Sequence, residues 1–96
     1  MKKSYLFIYS NKFGSRDEVR DLIKRTYEII TWRFDIPNSF YLVSESSADD
    51  LSEIFLKYSN EEGLFLIVEI KDNYQGWLPE RSWSLINDKE LPPKEK

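Results

Sequence analysis

The 96-residue chain contains no cysteine and no histidine. Without cysteine there is no disulfide scaffold, no thiolate nucleophile and no zinc–thiolate site. Without histidine, the commonest general base and the commonest transition-metal ligand are gone as well. Catalysis would have to rest on carboxylates, lysine, tyrosine or a hard cation, so the composition points away from an enzyme and from any cofactor. Long apolar runs are also missing. The short run after Met1, Lys2, Lys3 and Ser4 ends too soon for a signal-peptide core or a membrane span, which predicts a cytoplasmic protein without a membrane partner.

What the chain does have is aromatic mass: three Trp, six Tyr and six Phe, or 16 % of the residues. Side chains of that size must be buried or form a binding patch. Net charge is −3 but unevenly placed. Residues 1–36 hold eight Lys/Arg against five Asp/Glu, and residues 37–96 hold six against twelve. Long-range attraction to nucleic acid is not expected of the whole chain, although a local basic face near the start is possible.

Residues 4–10 (Ser-Tyr-Leu-Phe-Ile-Tyr-Ser) are aromatic and β-branched, apolar on both faces, and predict a central strand. A loop follows over residues 11–14. Ser15 and Glu18 form a capping box that opens a helix with Val19, Leu22, Ile23, Thr26, Ile29 and Ile30 on one stripe, running to about Ile30. Residues 31–34 and 40–43 are β-rich around turn material at 35–39 and predict a hairpin. Ser47 caps a second helix with Asp49 and Asp50 in its first turn and Leu51, Ile54, Phe55 and Tyr58 on its buried stripe; residues 60–63 stop it. The most apolar stretch, 64–70, predicts the last strand. Pro79 fits the first position of a short terminal helix, and residues 91–96 read as a frayed, flexible tail.

The order β-α-β-β-α-β plus a terminal helix, in one domain over residues 1–90, is that of the α+β, split-βαβ, ferredoxin-like plan: an antiparallel sheet with both main helices on one face. Its other face then becomes the functional question. If Leu6 and Ile8 point to the helices, Tyr5, Phe7 and Tyr9 point to the open face, joined by Phe65 and Ile67 from the last strand. These five are the candidate interface residues. A base-stacking role for the three first-strand rings is the alternative, but the basic-Gly-aromatic run of RNA-recognition modules is absent from 40–45. Dimer packing is therefore preferred.

Arg16, Arg20 and Lys24 recur every four residues on the first helix, with Lys12 just before it, as a candidate nucleic-acid stripe. Asp17, Asp21 and Glu28 are interspersed, with Asp21–Arg25 spaced as an i,i+4 pair, and a solvated face is the preferred reading. Asp49, Asp50 and Glu53 read as dipole-complementing acids rather than a metal cluster. Trp77 and Trp83, flanking Leu78 and Pro79, are expected to clamp the terminal helix onto the sheet.

Three segments carry a resemblance: residues 5–9, residues 32–43, and Gly76-Trp77-Leu78-Pro79 with Trp83. On these the chain resembles the small SinR-like proteins, which are compared with the ferredoxin-like CRISPR-associated adaptation nucleases. The resemblance implies a homodimer packed through open sheet faces. In the nuclease relatives an acid closes the first strand and binds the metal. Ser10, followed by Asn11, stands at that position here, and neither group replaces a carboxylate that must hold Mg²⁺. The expectation is therefore a non-catalytic homodimeric interaction protein. The alternatives are an Mg²⁺-dependent nuclease in which Asp35 or Asp72 supplies the carboxylate, or a nucleic-acid-binding module.

Overall fold

A computed structural model of the protein describes residues 1–59 and 62–90. Its elements are β1 (Lys3–Tyr9), α1 (Arg16–Arg25), β2 (Ile29–Arg33), β3 (Ser39–Ser44), α2 (Ala48–Ser59), β4 (Phe65–Ile70) and α3 (Glu80–Asp88). The four strands form one sheet in the order β2-β3-β1-β4, and each neighbouring pair is antiparallel. The result is an α+β architecture with β1 in the interior of the sheet and β4 at one edge. The residues expected to form the tail, 91–96, lie outside the described residues, as do two of the four expected to stop the second helix.

The caps form where the sequence places them. Ser15 Oγ accepts from the Glu18 N–H while the Glu18 carboxylate accepts from the Ser15 N–H, which closes the capping box. Ser47 Oγ accepts from the Asp50 N–H at 3.1 Å at the start of α2. Helix α1, however, ends at Arg25 and not near Ile30. Thr26 turns its hydroxyl back to donate to the Leu22 carbonyl and takes extended backbone angles. The β-branched residues that follow, Ile29, Ile30 and Thr31, are stiff at χ1 and favour a strand. They enter β2 with a bulge that turns Ile30 out to solvent. Pro79 likewise sits one residue before the expected position, as the N-cap of α3, where its carbonyl accepts from the Ser82 and Trp83 amides.

The hairpin turn is held by Asn38, the residue that takes positive φ (62°). Asn tolerates this left-handed region because its short polar side chain bonds locally. Its amide donates to the Tyr9 carbonyl and to Asn11 Oδ1, both at 2.9 Å.

The strand faces are the reverse of the expectation. Tyr5, Phe7 and Tyr9 point toward α1 and α2, packing with Phe13, Val19, Leu22, Ile23, Phe40, Leu42, Leu51 and Phe55, and Phe65 and Ile67 border the same core. The Phe7 ring lies 4.7 Å from Phe55 and 5.6 Å from Phe13, centroid to centroid. None of the five residues expected at an interface lies on the open face. The physical reason is volume: two helices stand off a sheet by about 10 Å, and bulky rings fill that gap better than Leu6 and Ile8. Helix α3 packs on the opposite face, where Leu85 and Ile86 meet Tyr41 and Val43. No helix among the described residues is long and apolar enough to cross a membrane.

Candidate interaction surface

The face reversal moves the surface question to the α3 side of the sheet. Helix α3 lies across β3, β1 and β2, and of β4 only its end at Ile70 joins that core, so the rest of β4 and the adjoining end of β1 are largely open on this face. In the β1–β4 register Leu6 stands opposite Val68 and Ile8 opposite Leu66. Three of these four are open to water: Ile8 is 43 % exposed, Leu66 58 % and Val68 44 %. Leu64 is exposed just before β4. The outcome is an apolar stripe on the surface, two strands wide.

The stripe is continuous with a groove of about 290 Å³. Leu6 and Ile70 line it from the sheet, Tyr41 and Ile86 contribute to its walls, and Tyr74, Leu78 and Trp83 line it from the segment that leads into α3 and from α3 itself. Tyr74 stacks on Trp83 with centroids 6.3 Å apart. Trp83 and Leu78 hold α3 against the second core. Trp77 does not. It is 97 % exposed and stands at the margin of the groove, while Leu78 packs on the second core. The expected pair of tryptophan clamps is thus one Trp and one Leu.

Three polar contacts fix α3 to the sheet. Ser4 is buried, and its hydroxyl donates to the Ile86 carbonyl at 2.7 Å. Ser82 Oγ accepts from Arg33 Nε at 2.7 Å and donates to Asp35 Oδ2, and Arg33 and Asp35 pair at 3.6 Å. Beside them Tyr41 is 3 % exposed, and its hydroxyl has no hydrogen-bond partner of good geometry. Burial, and then the Asp35 carboxylate, push its pKa up to about 12. Asp35 is therefore a structural anchor for α3. Asp72, the other candidate carboxylate, is exposed beside Lys71, Tyr74 and Asn87 on a polar shelf. No group of three or more Asp or Glu side chains gathers as a metal site among the described residues.

Ser10 has a structural role of its own. Its N–H donates to the Leu64 carbonyl at 2.9 Å, and its hydroxyl accepts from the Leu64 N–H at 3.0 Å. It clasps the entry of β4 against the end of β1.

The candidate basic stripe is largely committed to the protein's own groups. Arg16 lies over the Phe34 ring, 4.5 Å from its centroid. Arg20 pairs with Asp17 at 2.8 Å. The Asp21–Arg25 contact runs from Arg25 Nε to the Asp21 main-chain carbonyl rather than to its carboxylate. Lys12 and Lys24 are exposed, and two lysines on a face shared with Asp17, Glu18 and Asp21 make little phosphate-binding field.

The sequence reading missed Ile8, Leu66 and Val68 because both faces of β1 and β4 are apolar. Alternation then gives two sets without saying which is inside. Compared with protein-family models, with curated proteins and with solved structures, the chain finds no match.

Proposed function

We propose that the protein is a non-catalytic interaction protein that works as a homodimer, with the uncovered β1–β4 part of its sheet as the contact surface. The observation that carries this reading is the exposed stripe of Ile8, Leu66 and Val68 at the margin of a sheet face that α3 covers only in part. Contiguous apolar surface of this kind marks a contact site. Two symmetric copies of one patch make the simplest closed assembly.

The ferredoxin-like plan and the likeness to SinR-like proteins belong to the same proposal. Supporting them are the place of β3 between β1 and β2, and the packing of α1 and α2 on one sheet face. The clasp formed by Ser10 at the position of the relatives' metal-binding acid supports a role without catalysis.

Static light scattering at micromolar concentration tests the assembly. The expected mass is twice 11.5 kDa; a monomer overturns the proposal. Leu66→Lys, which changes an exposed side chain, is expected to give the monomer while leaving the fold's circular dichroism unchanged.

A further inference from the structure

β4 is an edge strand, and among the described residues nothing pairs with its outer side. The Ser10 N–H donates to the Leu64 carbonyl where β1 meets β4. Hydrogen-bonded pairs alternate along an antiparallel ladder, so Leu64, Leu66, Val68 and Ile70 direct their main-chain groups to β1. Phe65, Ile67 and Glu69 then direct theirs outward, unpaired. Natural edges are guarded by charged side chains, lysine above all, by proline, a bulge or a covering loop. Within Phe65–Ile70 β4 carries one charge, Glu69, and no lysine, proline or bulge.

We infer that the second copy adds to this edge: β4 pairs antiparallel with β4 of an identical chain about a two-fold axis at Ile67, joining the two sheets into one of eight strands. The inference rests on the homodimer reading and names where and in what register the copies meet. Same-face alternation allows two registers that keep the strands fully paired, one centred on Ile67 and one on Val68. Centring on Val68 sets Glu69 opposite Ile67, diagonally adjacent to the other copy's Glu69, and like charges at that spacing oppose pairing. Centring on Ile67 sets Glu69 opposite Phe65 and Leu66 opposite Val68, and separates the two carboxylates. It also makes Ile67 meet itself as a hydrogen-bonded pair, as its outward main-chain groups require. About six interchain main-chain hydrogen bonds result. On the α3 side, Leu66 and Val68 of each chain pack flank to flank with those of the other across the axis, so the stripe enters the contact through its β4 side.

The absence of cysteine makes the test clean. Leu66→Cys and Val68→Cys are made separately, oxidised alone and as an equimolar mixture, and resolved by mass on a non-reducing gel and by peptide mass spectrometry. Opposed residues of a non-hydrogen-bonded pair lie at about 4.5 Å between Cα atoms, within disulfide reach. The mixture is expected to give the 66–68 disulfide severalfold more than either variant alone gives a homodisulfide. A preferred 68–68 product, or no preference, overturns the register.

Glu69→Pro provides a second arm. It deletes an N–H that no intrachain bond uses and should give a folded monomer, whereas Val68→Pro deletes one used by β1 and should unfold the chain. A dimer that survives Glu69→Pro overturns edge pairing. If the unmodified protein scatters light as a monomer, the homodimer reading itself falls. If it is a dimer without the 66–68 product, only the β4 pairing falls.

Discussion

Gly63 shows how much one residue can carry. A Cβ placed there would overlap the main chain of Phe13, and Phe13 is a buried ring packed edge-on against Phe7 and Phe55. The overlap is with backbone, which cannot rotate away. Gly63→Ala is expected to destabilise the fold by about 1–3 kcal/mol, the usual cost of overpacking a close contact, read from urea midpoints. Tyr41 makes the opposite case. Its hydroxyl is buried beside the Asp35 carboxylate but makes no hydrogen bond of good geometry, so Tyr41→Phe should leave stability at pH 7 equal or higher. Its folded pKa of about 12 lies above the ordinary tyrosine value of 10.0. The unfolded chain therefore releases its proton first as pH rises, and stability present below pH 10 is lost between about 10 and 12. Thermal midpoints measured from pH 8 to 11 should fall less steeply for Tyr41→Phe than for the unchanged protein. Equal slopes would mean that this hydroxyl does not titrate with folding.

The two cores are separate at the scale of elements: α1 and α2 share one face of the sheet, and α3 has the other almost to itself. Leu85→Ala should cost about 2–5 kcal/mol of local packing. The loss should appear as faster amide exchange in α3 while α1 and α2 keep their protection; uniform acceleration would show that the cores unfold as one. The same division explains what the sequence disclosed. Capping residues, the strand runs and the first-turn acids act locally, so Ser15, Glu18, Ser47 and the 64–70 run were legible at once. Which side of β1 faces the helices depends on how much volume two distant elements bring, and alternation of two apolar sets carries no such information. The end of α1 was misread because Ile29 and Ile30 satisfy a helical stripe as well as a strand. For the candidate site, the three-segment pattern led to Ser10, Asp35 and the two tryptophans. Their roles as clasp, anchor, clamp and exposed ring follow from long-range contacts, such as those of Ser10 with Leu64, 54 positions on, and of Asp35 with Ser82, 47 positions on.

At the scale of the whole molecule, association and stability are linked. If the folded chain is a dimer, its thermal midpoint should rise with protein concentration by mass action, and differential scanning calorimetry over a hundredfold range checks this. The contact is apolar and main-chain in character, so the midpoint should change little between low and high salt. A strong salt dependence would point instead to Lys12, Lys24 and a charged partner. The link between Ser4 and Ile86 also has a consequence in time. The first strand pairs with β3 and β4 and is covered last by α3, so nearly all its partners are made after it during synthesis. A growing chain holds Tyr5, Phe7 and Tyr9 without a home until most of the protein has been made. The sheet closes late, by long-range contacts of the slow kind, and the interval before α3 arrives is when Tyr41 and Val43 are open to a wrong neighbour.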